Sequence, residues 1–267
     1  MLAVALVGSA APAESGFDSA RAKAVVRQIA GFGPRPAGSA AERSAAGFVE
    51  STFEQAGYRV AQQTVPLPGG GRSSNVVALP HGPIRAVVTA HLDGVRDSPA
   101  ANDNASGVAV LIELARVVRP ERGVLFAALG AEERVETGSD IHLGSARLLR
   151  GFSAAGTRRI RVALNLDMVG VGTRLHVRGI EATPNRSARI VLTAARRGGR
   201  AATYLRDPGW SDHAELSRAG IPTAWIQWRE DACWHEACDV PERVSGARLA
   251  AAGRLALETL NAALPAR

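Results

Sequence analysis

Two hydrophobic periods alternate along this chain. Apolar positions recur at helical spacing over 19–29 and again over 40–56, where Gly57 is placed to stop the second helix. Residues 58–65 then alternate as a half-buried strand does, until Leu67-Pro68-Gly69-Gly70-Gly71 breaks the pattern. β-branched runs follow at 75–79 and 84–91, parted by Pro80-His81-Gly82-Pro83. Beyond them the order becomes regular: helix 105–118, buried strand 123–129, helix near 144–149, strand 161–168 and a short strand near 175–177. A helix around 187–197, a helix over 211–219, a strand over 221–227 and a helix over 245–263 complete it. Continuous apolar strands alternating with helices predict an α/β domain whose largely parallel sheet is covered on both faces. No repeat or linker interrupts 17–264, so a single domain is expected there.

Composition refines this only slightly. Hydrophobic residues are 46% and charged residues 21%, a globular balance, while aromatics at 4% leave the core to Val, Leu, Ile and Ala. The formal charge of +7 comes almost wholly from scattered arginines with no basic helical stripe or aromatic platform. It predicts solubility rather than a nucleic-acid partner. Residues 1–13, small and apolar and ending Ala11-Pro12-Ala13, read as an export signal lacking its basic start, or else as a flexible tail. A secreted or extracytoplasmic monomer without membrane spans is expected. Cys233 and Cys238, five apart, are candidates for a local disulfide in such a compartment.

Candidate chemistry gathers where the strands end. The strand over 84–91 runs into His91-Leu92-Asp93, the strand over 123–129 into Glu132-Glu133, and the strand over 161–168 ends on Asp167-Met168. The strand over 221–227 leads to a loop with His235, and Asn102-Asp103-Asn104 opens the helix over 105–118. In a parallel sheet, functional sites lie at the carboxyl ends of the strands. Five segments therefore bring His, Asp or Glu to one rim. Mixed imidazole and carboxylate donors suit zinc, cobalt or manganese. Two imidazoles and three carboxylates are too many for one open tetrahedral site but enough for two ions sharing a carboxylate and a water. His91 and Asp93, two apart, share a side of an extended segment, so the carboxylate could fix the ring's tautomer. One of the adjacent Glu132 and Glu133 can ligate while the other moves a proton. Considered alone, an HxD pair or a Glu pair is ordinary surface charge; only their convergence argues for a site.

The set His91-Leu92-Asp93, Ala101-Asn102-Asp103-Asn104-Ala105-Ser106-Gly107, Gly130-Ala131-Glu132-Glu133, Asn165-Leu166-Asp167-Met168 and Trp234-His235 resembles, in order and approximate spacing, the secreted bacterial dizinc aminopeptidases. Glutamate carboxypeptidase and the glutaminyl cyclases are wider relatives. The resemblance implies the zinc-exopeptidase (phosphorylase/hydrolase-like) fold, a three-layer α-β-α sandwich around a mixed, mostly parallel sheet. It implies two zinc ions per chain and a peptide or aminoacyl substrate. Asp103 would bridge the ions, His91 and Asp167 would complete one site, and Glu133 and His235 the other. Glu132 would be the general base, Asp93 would support His91, and Asp239 would support the loop of His235. Ser211, Asp212 and Trp234 are candidates for the substrate pocket, against a helix-cap reading for Ser211-Asp212-His213.

Three departures from the pattern bear on function. Ala100 replaces a frequent glycine, the link over 134–143 is longer than usual, and Trp234 stands where some relatives carry Tyr. His81, His142, His176 and His213 read as surface or structural, and Trp210, Trp225 and Trp228 as core or pocket wall. The leading expectation is a metallo-aminopeptidase; the alternative is a single-zinc acyltransferase of the glutaminyl cyclase type. Lid-bearing dizinc deacylases would need an inserted dimerisation domain, and a binding module descended from the enzyme should have lost ligands.

Overall fold

Asp18 and Ser39 start the first two helices by turning their side-chain oxygens onto free backbone N–H groups. Asp18 accepts from Ala20 and Arg21, and Ser39 from Glu42. The helices so capped are α1 (Ser19–Ala30) and α2 (Ala40–Gln55). Gly57, at φ +85°, supplies the left-handed turn that ends α2. The structure is a computed structural model that describes residues 16–133 and 142–264. The expected export signal and most of the long 134–143 link lie outside the described residues.

Eight strands follow: β1 (Arg59–Pro66), β2 (Arg72–Leu79), β3 (Ala86–His91), β4 (Val124–Leu129), β5 (Val162–Leu166), β6 (Arg174–Gly179), β7 (Ala202–Arg206) and β8 (Thr223–Arg229). Between and after them run α3 (Gly107–Val117), α4 (Leu143–Leu149), α5 (Ala154–Arg159), α6 (Arg186–Arg197), α7 (His213–Arg218) and α8 (Gly246–Ala263). They form one sheet in the order β1-β2-β4-β3-β5-β8-β6-β7. β4, β3, β5 and β8 are parallel neighbours, β1, β2 and β6 join antiparallel, and β7 lies parallel to β6 at the edge.

Alternation along the central strands assigns each residue to a face. Val88, Val124, Phe126, Ala128 and Leu164 pack against α1, α2, α3, α6 and α8, whereas Val87, Leu125, Leu129 and Ala163 pack with Leu148 of α4 and Leu216 of α7. The result is the expected three-layer sandwich.

Several boundaries differ from the sequence reading. The helix expected from 105 begins at Gly107, because Asp103 (φ −111°, ψ 84°) and Asn104 (φ −138°, ψ 40°) hold non-helical backbone in a wide turn. The helix expected from 211 is shortened to α7. The short α5 and the strand β7 carry too little apolar periodicity to announce themselves; β7 is an edge strand with no fully buried residue.

Candidate active site

β3, β4, β5 and β8 all point their carboxyl ends at one rim, and the five segments expected there meet. His91 is the last residue of β3 and is buried. Its Nδ1 donates to the main-chain oxygen of Asp93 at 3.2 Å, which aims Nε2 at Asp103 Oδ1 (3.0 Å) and Asp167 Oδ1 (3.5 Å). Across the rim His235 Nε2 lies 3.0 Å from Glu133 Oε1 and 3.3 Å from Asp103 Oδ2. Asp103 thus faces both imidazoles, one through each oxygen.

Each of these positions has a backbone cause. Asp93 supports His91 through its main-chain oxygen, and its carboxylate lies 3.8 Å from the same Nδ1. That carboxylate also accepts from the N–H groups of Glu132 and Glu133, both at 3.0 Å, and so fixes the glutamate pair. Asp239 accepts from Asn102 N (2.7 Å) and Asp103 N (3.0 Å), clamping the turn that presents Asp103 rather than only its own loop. The asparagines either side of Asp103 are ties. Asn102 Oδ1 accepts from Gly170 N and Val171 N, and the Asn104 amide donates to Leu166 O, so both hold the segment around Asp167. A Cβ on Gly107 would lie 2.1 Å from Leu166 O, so only glycine permits that approach. Cys233 and Cys238 are joined as a disulfide that closes the His235 loop.

Backbone strain concentrates here. Among the described residues, the non-glycine positions with positive φ are Ala100, Ala131, His142, Met168, Glu230 and His235, and all six lie in or beside the rim segments. Ala100 in particular takes the left-handed conformation (φ 53°, ψ 48°), so its substitution for the usual glycine falls where glycine is favoured.

Electrostatically the cluster is short of positive charge. Burial acts to lower the His91 imidazole, but Glu132, Asp103, Asp167 and Asp93 outweigh it and hold the ring well above its ordinary pKa. His235 is likewise raised, to about 10, by Asp103 and Glu133 against burial. Burial raises Asp103, yet hydrogen bonds from both imidazoles prevail and leave it lowered. Burial pushes Glu132 well above the carboxylate range, and Glu133 up to about 7.

Donor atoms of His91, Asp103 and Asp167, and of Asp103, Glu133 and His235, cluster tightly enough to hold an ion each. Ligand bonds of about 2.0–2.2 Å would set tetrahedral donors roughly 3.3 Å apart, close to the spacings seen. Asp167 Oδ1 is buried with no hydrogen-bond partner, as a carboxylate awaiting a cation would be. The residues therefore fit divalent zinc, and imidazole with carboxylate is its ordinary donor set.

A cavity of about 210 Å³ opens over these groups, lined also by Met168, Arg178, Trp225, Gln227 and Trp234. Trp234 is half exposed, its ring centroid 4.3 Å from that of His235. Ser211 and Asp212 do not line the cavity. Both are fully buried; Ser211 Oγ accepts from Asn165, and Asp212 precedes α7 without a side-chain cap bond. His142 and His213 are buried rather than surface residues, and His142 Nε2 lies 3.6 Å from Glu132 Oε1.

Arg35 escaped the sequence reading altogether. Fully buried, its guanidinium donates to the carbonyls of Ile29, Gly33, Leu92, Pro99 and Ala100, tying the His91 and Asp103 segments together. A lone arginine between prolines carries no signal of such a role.

Residues 75–260 match peptidase family M28. Aminopeptidase YwaD of Bacillus subtilis is 35% identical over 63% of this chain and 38% of its own length. Leupeptin-inactivating enzyme 1 of Streptomyces exfoliatus is 26% identical over 86% of this chain and 58% of its own. The chain thus spans less than two thirds of these curated relatives. Among solved structures, the zinc aminopeptidase BSAP from Bacillus subtilis superposes with a TM-score of 0.84 at 22% identity, covering 94% of this chain and 97% of that one. A Bacteroides thetaiotaomicron glutaminyl cyclase does so at 0.80 and 22%, covering 95% and 99%. At such identities these likenesses speak for the fold alone. With a family match across most of the sequence, the chain belongs to peptidase family M28.

Proposed function

We propose that this protein is a zinc-dependent aminopeptidase with two ions per chain. His91 and Asp167 would hold one ion, Glu133 and His235 the other, and Asp103 both. The observation that carries this reading is the sharing of Asp103: one oxygen faces His91 and the other faces His235. When bound, zinc would polarise the scissile carbonyl and acidify water. Glu132, buried at the cavity wall and fixed through its N–H by Asp93, accepts the proton of the attacking water and returns it to the departing amine. His142 stands behind it, within reach of the same carboxyl group.

A second reading, a single-zinc acyltransferase of the glutaminyl cyclase type, shares this fold, but that chemistry would leave one of the two ligand groups without a task. The disulfide favours export, because such bonds persist in oxidising compartments. Among the described residues, no helix is long and apolar enough to cross a membrane. The test is hydrolysis of a panel of aminoacyl anilides with and without chelator. Chelator-sensitive release of the anilide is expected. Cyclisation of N-terminal glutamine without hydrolysis would favour the second reading.

A further inference from the structure

Beside the proposed ligands, the cavity has a wall that the proposed chemistry does not use; Trp225 of that wall donates to the main-chain oxygen of Asp167 at 3.0 Å. β6 and β8 pair antiparallel with Arg178 opposite Trp225 and His176 opposite Gln227, and directly paired residues share a face. On that face Arg178 is only 4% exposed, yet it lines the cavity. Its guanidinium carbon sits 4.2 Å from the Trp225 ring centroid and 5.6 Å from that of Trp210, which is 59% exposed.

The guanidinium is held firmly. Nη1 donates to Gln227 Oε1 at 2.9 Å and Nη2 donates to Asp207 Oδ2. Asp207 is itself fixed, its other oxygen accepting from the N–H groups of Gly209 and Trp210 at 2.7 Å. A guanidinium carries five N–H donors in a rigid fork. Two are engaged here, and buried Nε has no acceptor at all. A cavity shaped for an aliphatic side chain gains nothing from an enclosed cation with donors to spare, because an unmet buried donor is destabilising. A ligand oxygen in the cavity would meet the Nη protons of this lining guanidinium that Gln227 and Asp207 leave unengaged. A charged oxygen would do so best, since charge-assisted bonds to guanidinium are the stronger kind.

We propose that Arg178 is the specificity-determining residue of this cavity and that the substrate it selects presents a carboxylate there. This rests on the peptidase reading for its substrate but not for its binding chemistry. The carboxylate has two possible sources, the side chain of an acidic N-terminal residue or the α-carboxylate of a short peptide.

The zinc-loaded enzyme is assayed on glutamyl- against glutaminyl-p-nitroanilide, which differ only in side-chain charge, and on Leu-Ala against Leu-Ala-amide, which differ only in the terminal carboxylate. In parallel, calorimetry compares glutarate with butyrate, a dicarboxylate and a monocarboxylate with no bond to cleave. The expected result is that one charged substrate exceeds its neutral partner by at least about tenfold in kcat/KM, and that glutarate binds at least about tenfold tighter than butyrate. The substrate pair that shows the preference identifies the source. Arg178→Gln should bring these ratios close to one. Wild-type ratios below about twofold in all three comparisons, or ratios that survive in Arg178→Gln, would overturn the proposal. The wild-type ratios alone suffice should the variant not fold. If nothing is hydrolysed, the peptidase reading fails and the glutarate ratio still decides the role of Arg178. If both anilides are hydrolysed without any of the three preferences, the subsite fails and the peptidase reading stands.

Discussion

β3 and β5 begin beside arginines and end beside carboxylates. Arg85 precedes β3, Arg161 precedes β5, and with Arg158, Arg159 and Arg186 they line an open groove at the amino end of the sheet. At the carboxyl end the same two strands deliver His91 and Asp167 into a buried cluster. Arg158, Arg159, Arg161 and Arg186 are exposed, whereas His91, Asp103, Glu132 and Asp167 are enclosed, and Asp103 and Glu132 are held through their backbone N–H groups by carboxylates of other segments. The net charge of +7, a sum over the whole chain, therefore says nothing of the end where chemistry is expected. Enclosure and backbone ties, not charge count, separate a site from a surface.

That contrast can be attacked from either end. Asp103→Ala should do the most damage, removing the carboxylate that both imidazoles face. Loss of the metal contribution should lower kcat/KM by about a thousandfold, with zinc content by elemental analysis falling in step. Full zinc retention would detach Asp103 from the metals. Glu132→Ala should keep its zinc yet lose at least about a hundredfold in kcat; wild-type turnover would remove Glu132 from its role as base. Asp239→Asn leaves every proposed ligand in place but weakens the clamp on Asp103, so zinc affinity should fall about tenfold in a competition titration with a chelator. Unchanged affinity would make the clamp irrelevant to the metals. Ala100→Gly should relieve left-handed strain of about 1 kcal/mol, seen as a midpoint a few degrees higher in thermal unfolding. Smallest of all should be the double change Arg158→Glu with Arg159→Glu, which should leave kcat/KM within about twofold because exposed charges at the far end are screened. A tenfold loss there would break the distinction between the two ends.

How far the sequence discloses this arrangement differs by residue. The central strands were legible because continuous apolar runs such as Val124–Leu129 suit only a sheet buried on both faces. The rim followed from the rule that such strands carry sites at their carboxyl ends. β7 was not legible, since an edge strand has no buried alternation to display. For Asp93, a spacing of two puts it on the His91 side, where its carboxylate lies 3.8 Å from Nδ1, but cannot show that the same carboxylate also holds the Glu132 and Glu133 N–H groups. Arg35 and Arg178 were invisible for a related reason. A buried arginine is recognised by the carbonyls, carboxylates and rings that surround it, and those come from distant segments. The six strained residues could not be foreseen either, as only Ala100 gave a local hint.

The most direct test of the shared Asp103 is anomalous scattering at the zinc edge from crystals of the zinc-loaded protein. Two peaks are expected, one among His91, Asp103 and Asp167 and the other among Asp103, Glu133 and His235. A single peak, or peaks away from these side chains, would contradict a two-ion centre.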